Sequence, residues 1–154
     1  MQEVAVVAGS KSDNKLVEVI EQTLEKFGIG YESFIISAHR TPEKCTEFSI
    51  SAKDKGFKVI IAVAGLAAHL PGVIASQTLL PVIGVPATGG PLNGIDALLS
   101  IVQMPGSTPV ATMALGKAGA KNAAIMAARI LALSDINVAN KLNEYRKELK
   151  SGGK

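Results

Sequence analysis

Hydrophobic residues fall in two patterns along the chain. Val4–Ala8 and Val59–Ala64 are unbroken apolar runs of strand length, as expected for strands buried on both faces. Between them the period changes. Leu16, Val17, Ile20, Leu24 and Phe27 recur every three or four residues, with Glu18, Glu21, Glu25 and Lys26 on the opposite side. That spacing predicts a helix with one face on a sheet, stopped by Gly28 and Gly30. A second strand is expected over residues 31–36. A helix over 42–55 follows, with Thr41 as N-cap, Pro42 in its first position and Gly56 closing it. Beyond Val59–Ala64 the pattern predicts a short helix through Ile74 and Gln77 and a strand over 81–85. It continues with a Gly/Pro-rich loop over 86–94, a helix over 97–102, a strand near 110–113, and helices over 118–133 and 136–150.

Strands that alternate with helices form a parallel sheet with right-handed crossovers and helices on both faces. The simplest five-stranded version is a flavodoxin-like, three-layer, doubly wound α/β fold, strand order 2-1-3-4-5, followed by C-terminal helices. That order brings the loops after the first three strands together at the topological switch point, where open α/β sheets bind ligands. Those loops are residues 9–13, 37–42 and 65–72. They hold both histidines, Arg40, Ser10, Ser12, Ser37 and Asp13, most of the chain's chemistry.

Composition narrows the class. With 154 residues, 47% of them hydrophobic and 19% charged, the chain suits one domain with a substantial core. Residues 1–150 are expected to be that domain and 151–154 a disordered tail. The net charge is +3, with Lys and Arg scattered among Asp and Glu, so nucleic acid is not favoured as a partner. One cysteine, Cys45, excludes an internal disulfide, and no apolar run approaches a membrane span. With no charged-then-apolar leader at the start, a cytoplasmic location is expected. One Cys and two His also argue against a structural zinc site.

Gly9-Ser10-Lys11-Ser12-Asp13 lies between a strand and a helix N-terminus, where backbone N–H groups, the helix dipole and two hydroxyls can converge on a phosphate. It has neither Walker nor dinucleotide glycine spacing. On its own, the loop reads better with Ser12 or Asp13 simply as an N-cap. Asp13 could also accept hydrogen bonds from a ribose diol. His39 stands at a strand's carboxyl end, where it could move protons near neutral pH, and Arg40 beside it can hold a phosphate or carboxylate. His69 sits among Ala67, Ala68 and Leu70, as a core histidine or as a donor to a substrate carboxylate. The surrounding Ala and Gly leave room for a flat ring. The loop over 86–94 reads as a substrate lid or, better, a subunit interface.

Taken together, the three loops resemble the N5-carboxyaminoimidazole ribonucleotide mutases, the class I catalytic-subunit family of phosphoribosylaminoimidazole carboxylases. Gly9 to Asp13, Ser37-Ala38-His39-Arg40-Thr41-Pro42 and Ala67-Ala68-His69-Leu70-Pro71-Gly72 carry the resemblance in order and spacing. Pro81 to Pro86, Ser100 to Pro105 and Gly116 to Ala120 extend it. The resemblance implies a cofactor-free, metal-free isomerase of de novo purine biosynthesis that works as a homo-octamer on a ribonucleotide. It assigns phosphate binding to Ser10, Ser12 and Arg40, ribose contact to Asp13 and proton transfer to His39. Ser37, Ala38, Gly65, Ala67, His69 and Leu70 fall to the rest of the substrate pocket. One departure stands out: Leu66 occupies a position where the family commonly has glycine. The alternatives are a carboxylase that uses CO2 directly, and a non-catalytic nucleotide-binding module that leaves His39 without a role.

Overall fold

The computed structural model describes residues 1–152. Its elements run β1 (Val4–Ala8), α1 (Asn14–Lys26), β2 (Tyr31–Ile35), α2 (Pro42–Ser51), β3 (Val59–Ala64), α3 (Leu70–Ala75) and β4 (Val82–Pro86). They end with α4 (Ile95–Val102), β5 (Ala111–Thr112), α5 (Gly116–Leu131) and α6 (Ile136–Lys150). All strand pairs are parallel and the order is 2-1-3-4-5, the flavodoxin-like arrangement expected from the sequence. Ser151 and Gly152 continue as a turn, and the remainder of the predicted tail lies outside the described residues.

Alternation along β1 divides the interior in two. Val4 and Val6 face a core with Ile20 and Leu24 of α1 and the buried alanines of α5; Ala5 and Val7 face Phe48, Leu70, Ile74 and Ile101 of α2, α3 and α4. The unbroken apolar runs are thus strands covered on both sides. Ala120, Ala123, Ala124, Ala127 and Ala128 of α5 are buried within this chain, so the small side chains bring α5 close to its own α1 and sheet. α6 lies outside α5, and its Tyr145 meets Phe27 edge-on at 5.5 Å.

Several boundaries differ from the periodicity. α2 stops at Ser51, four residues early, because the chain turns to bury Phe57. Gly56 adopts φ 95°, and the Phe57 N–H reaches back to the Ala52 carbonyl at 3.2 Å. Phe57 then packs edge-on against Phe34, 5.9 Å between centroids. β4 is displaced by one residue, with Pro86 in register with Ala64. β5 shrinks to two residues at the sheet edge, where only β4 offers partners.

Candidate active site

The loops after β1, β2 and β3 meet at the carboxyl ends of their strands, around a cleft of about 720 Å³, the size of a small-molecule site. All eleven residues singled out by the sequence line it: Ser10, Ser12, Asp13, Ser37, Ala38, His39, Arg40, Gly65, Ala67, His69 and Leu70. The strand order is what joins them, since β1 lies between β2 and β3.

The first loop forms a single 3-10 turn, Lys11–Asp13, before α1. Ser10 caps that turn by accepting from the Ser12 N–H at 3.3 Å. Asp13 precedes α1 without capping it through its side chain, so the carboxylate is available to the cleft. Burial pushes the Asp13 carboxyl above its ordinary range, and a backbone hydrogen bond from Ser10 partly offsets the rise.

The second loop is stiffened by its own side chains. The Ser37 hydroxyl accepts from the Arg40 backbone N–H at 3.2 Å and from its Nε at 3.3 Å. Arg40 Nη2 donates to the Gly9 carbonyl at 3.2 Å, which ties the second loop to the first. A guanidinium has five N–H donors, so this leaves donors free for an anion. Thr41 does not cap α2 with its hydroxyl as expected. Its Oγ1 instead donates to the Ser37 carbonyl at 3.0 Å and accepts from the Ser37 N–H at 3.2 Å, closing the loop on itself. His39, at the middle of that closed loop, is left exposed in the cleft.

In the third loop Ala68 and Leu70 are buried on either side of His69, which anchors the backbone and turns the imidazole outward. The two histidines meet across the cleft. His39 Nε2 hydrogen-bonds His69 Nδ1, with the rings nearly perpendicular at 85° and their centroids 4.6 Å apart. One ring must donate and the other accept, so the two share a proton position. His69 is therefore coupled to His39 rather than buried in the core. Among the described residues, no group of three or more His, Cys, Asp or Glu could hold a metal ion.

A fourth wall comes from the loop after β4. Ala87, Thr88, Gly89 and Gly90 also line the cleft, which agrees with a substrate-side role, the less favoured of the two expectations for this loop. Its signal was the strand order, which sets β4 beside β3.

With this geometry, similarity to known proteins becomes decisive. The chain matches AIR carboxylase over residues 3–152. It belongs to the AIR carboxylase family. An N5-carboxyaminoimidazole ribonucleotide mutase from Brucella melitensis is 53% identical over 145 residues, covering 94% of this chain and 90% of that one. The mutase of the same name from Escherichia coli strain K12 is 51% identical over 144 residues, covering 94% and 85%. The crystal structure of Treponema denticola PurE superposes with a TM-score of 0.88 at 28% identity, covering 99% of this chain and 94% of that one. In this AIR carboxylase family member the resemblance carried by the three loops therefore extends over nearly the whole chain. No helix among the described residues is long and apolar enough to cross a membrane.

Proposed function

We propose that the protein converts N5-carboxyaminoimidazole ribonucleotide to its C4-carboxylated isomer in purine biosynthesis, using protein side chains alone. The observation that carries this reading is the cleft, which brings Arg40 and two serine hydroxyls together with a pair of hydrogen-bonded imidazoles. Arg40 and the hydroxyls of Ser10 and Ser12 hold the phosphate, and the Asp13 carboxylate takes the ribose hydroxyls. His39 and His69 meet the ring and its carboxylate, beside Ser37, Ala38, Gly65, Ala67 and Leu70.

The bond from the exocyclic nitrogen to the carboxylate carbon breaks, and CO2 departs while the electron pair stays on nitrogen. His39 delivers a proton there. Ring carbon C4 then attacks CO2, and His39 removes the C4 proton to restore the aromatic ring. One histidine thus ends the cycle in the state in which it began, and no atoms are gained or lost. CO2 offers few handles, so it must be confined, and the apolar Ala64, Leu66, Ala67 and Ala68 form a wall that excludes water.

The chain acts in the cytoplasm as a homo-octamer. An outward apolar stripe supports assembly: Leu92, Ile95, Leu99 and Val102, on α4 and just before it, are all about half exposed. The test of function is to supply N5-carboxyaminoimidazole ribonucleotide without bicarbonate or ATP and follow the C4-carboxylated product. Its formation supports this reading. Product that appears only with added CO2 identifies a carboxylase, and binding without turnover identifies a nucleotide-binding module.

A further inference from the structure

Leu66 has a backbone conformation that its side chain disfavours. Its φ is 54°, in the left-handed region, where leucine has no short polar side chain to compensate through a local hydrogen bond. The surrounding loop holds it there. The Ala68 N–H bonds the Leu66 carbonyl at 2.9 Å, the His69 N–H bonds that of Ala67 at 2.7 Å, and buried Ala68 and Leu70 pin the following residues. Such conformations persist only where the surrounding structure over-determines them, and they cluster at functional sites.

The effect here is a bridge. At their roots the third and fourth loops are already joined: the Ala87 N–H donates to the Ala64 carbonyl at 2.9 Å, and a β-carbon on Gly65 would lie 3.5 Å from that of Ala87. Farther out, Leu66 Cδ2 lies 2.5 Å from where a β-carbon on Gly90 would stand. The isobutyl group therefore rests in space that Gly90 alone leaves open. Leu66 and Gly90 both line the cleft, and Leu66 is 56% exposed, so it is not a core residue that happens to border the site. A leucine held this way adds nothing to the anion-holding end, which lies on the first two loops. It lengthens the apolar wall.

We propose that Leu66 is a positioning residue that closes the apolar end of the cleft against Gly90 and retains CO2 between its release from nitrogen and its capture by C4. This role rests on the carboxylate-transfer reading above. It concerns a step with no net redox change, in which the C–N bond has broken and the C–C bond has not yet formed. Escape of CO2 at that point leaves the aminoimidazole ribonucleotide as product.

The experiment uses the full chain and substrate carrying ¹³C in its N5-carboxylate, in the presence of excess unlabelled bicarbonate and against an enzyme-free control. Leu66→Ala keeps the β-carbon and its backbone preference while removing the bridge; Leu66→Gly removes both. The unsubstituted enzyme should pass most of its label to C4. Both variants should lose severalfold more label to the bicarbonate pool and accumulate more aminoimidazole ribonucleotide, with nucleotide affinity changed by less than about twofold. Label retention in Leu66→Ala equal to that of the unsubstituted enzyme overturns the proposal, and leakage in Leu66→Gly alone does so by tracing the effect to the backbone. If the unsubstituted enzyme makes no C4-carboxylated product, the proposed function itself falls, and this role with it.

Discussion

Arg40 directs part of its guanidinium to the protein, through Nε to the Ser37 hydroxyl and Nη2 to the Gly9 carbonyl. Its remaining donors are thereby held in one orientation before any ligand arrives. Arg40→Ala should raise the KM for the ribonucleotide about tenfold to a hundredfold, since hydrogen bonds to charged groups contribute about 1.5–3 kcal/mol. Arg40→Lys should recover little of that, because an ammonium cannot make the fork that spans Ser37 and Gly9; steady-state kinetics checks both. Asp13 adds a pH-dependent effect. Burial raises its carboxyl above the ordinary range, so its contribution to folding is fully present below the unfolded pKa and is lost as pH rises through the higher folded value. Asp13→Asn should therefore be more stable than the parent at neutral pH, equal to it at about pH 3, and weaker in ribonucleotide binding. Chemical denaturation at the two pH values tests the first two outcomes. At this scale the sequence could identify Arg40 and Asp13 from their chemistry. It could not show the strained backbone of Leu66 or the meeting of His39 with His69, which depend on how two loops far apart in sequence are turned.

Elements were legible where burial is complete and obscured where chain ends or loops compete with periodicity. β1 and β3 have the predicted bounds because an unbroken apolar run leaves no other residue to end on. α2 ends early because burying Phe57 outweighs another turn of a helix carrying Lys53, Asp54 and Lys55. The hydroxyl of Thr41, read as a cap, is bonded to Ser37 instead, and the loop that carries His39 is stiffer for it. Below the cleft, α4 lies close on β4 because residue 84 is glycine. A β-carbon there would stand 2.5 Å from Ile101 Cγ2 and 3.0 Å from Val110 Cγ1. Gly84→Ala should destabilise the fold by about 1–3 kcal/mol through overpacking, measured by urea denaturation.

For the whole molecule, the doubly wound order explains why a histidine, an arginine and a serine-rich turn from separate parts of the chain share one cleft. That much could be read from the alternation of patterns. The fourth loop's part in the site could be read only as one of two roles, substrate lid or subunit interface, because residues 87–90 carry little chemistry beyond the Thr88 hydroxyl to decide between them. The exposed apolar stripe on α4 offers a surface for assembly. Leu99→Asp, which puts a charge at its centre, should shift sedimentation from the proposed octamer towards smaller species while leaving the chain folded. In the proposed reaction the imidazole of His39 moves both protons within a cleft that other residues build. His39→Asn tests it most directly, with ribonucleotide binding measured by calorimetry and turnover measured on the same preparation. Affinity within a few-fold of the parent and a kcat at least about a hundredfold lower are the predicted results. A variant that binds equally well and turns over at nearly the parental rate would contradict the account.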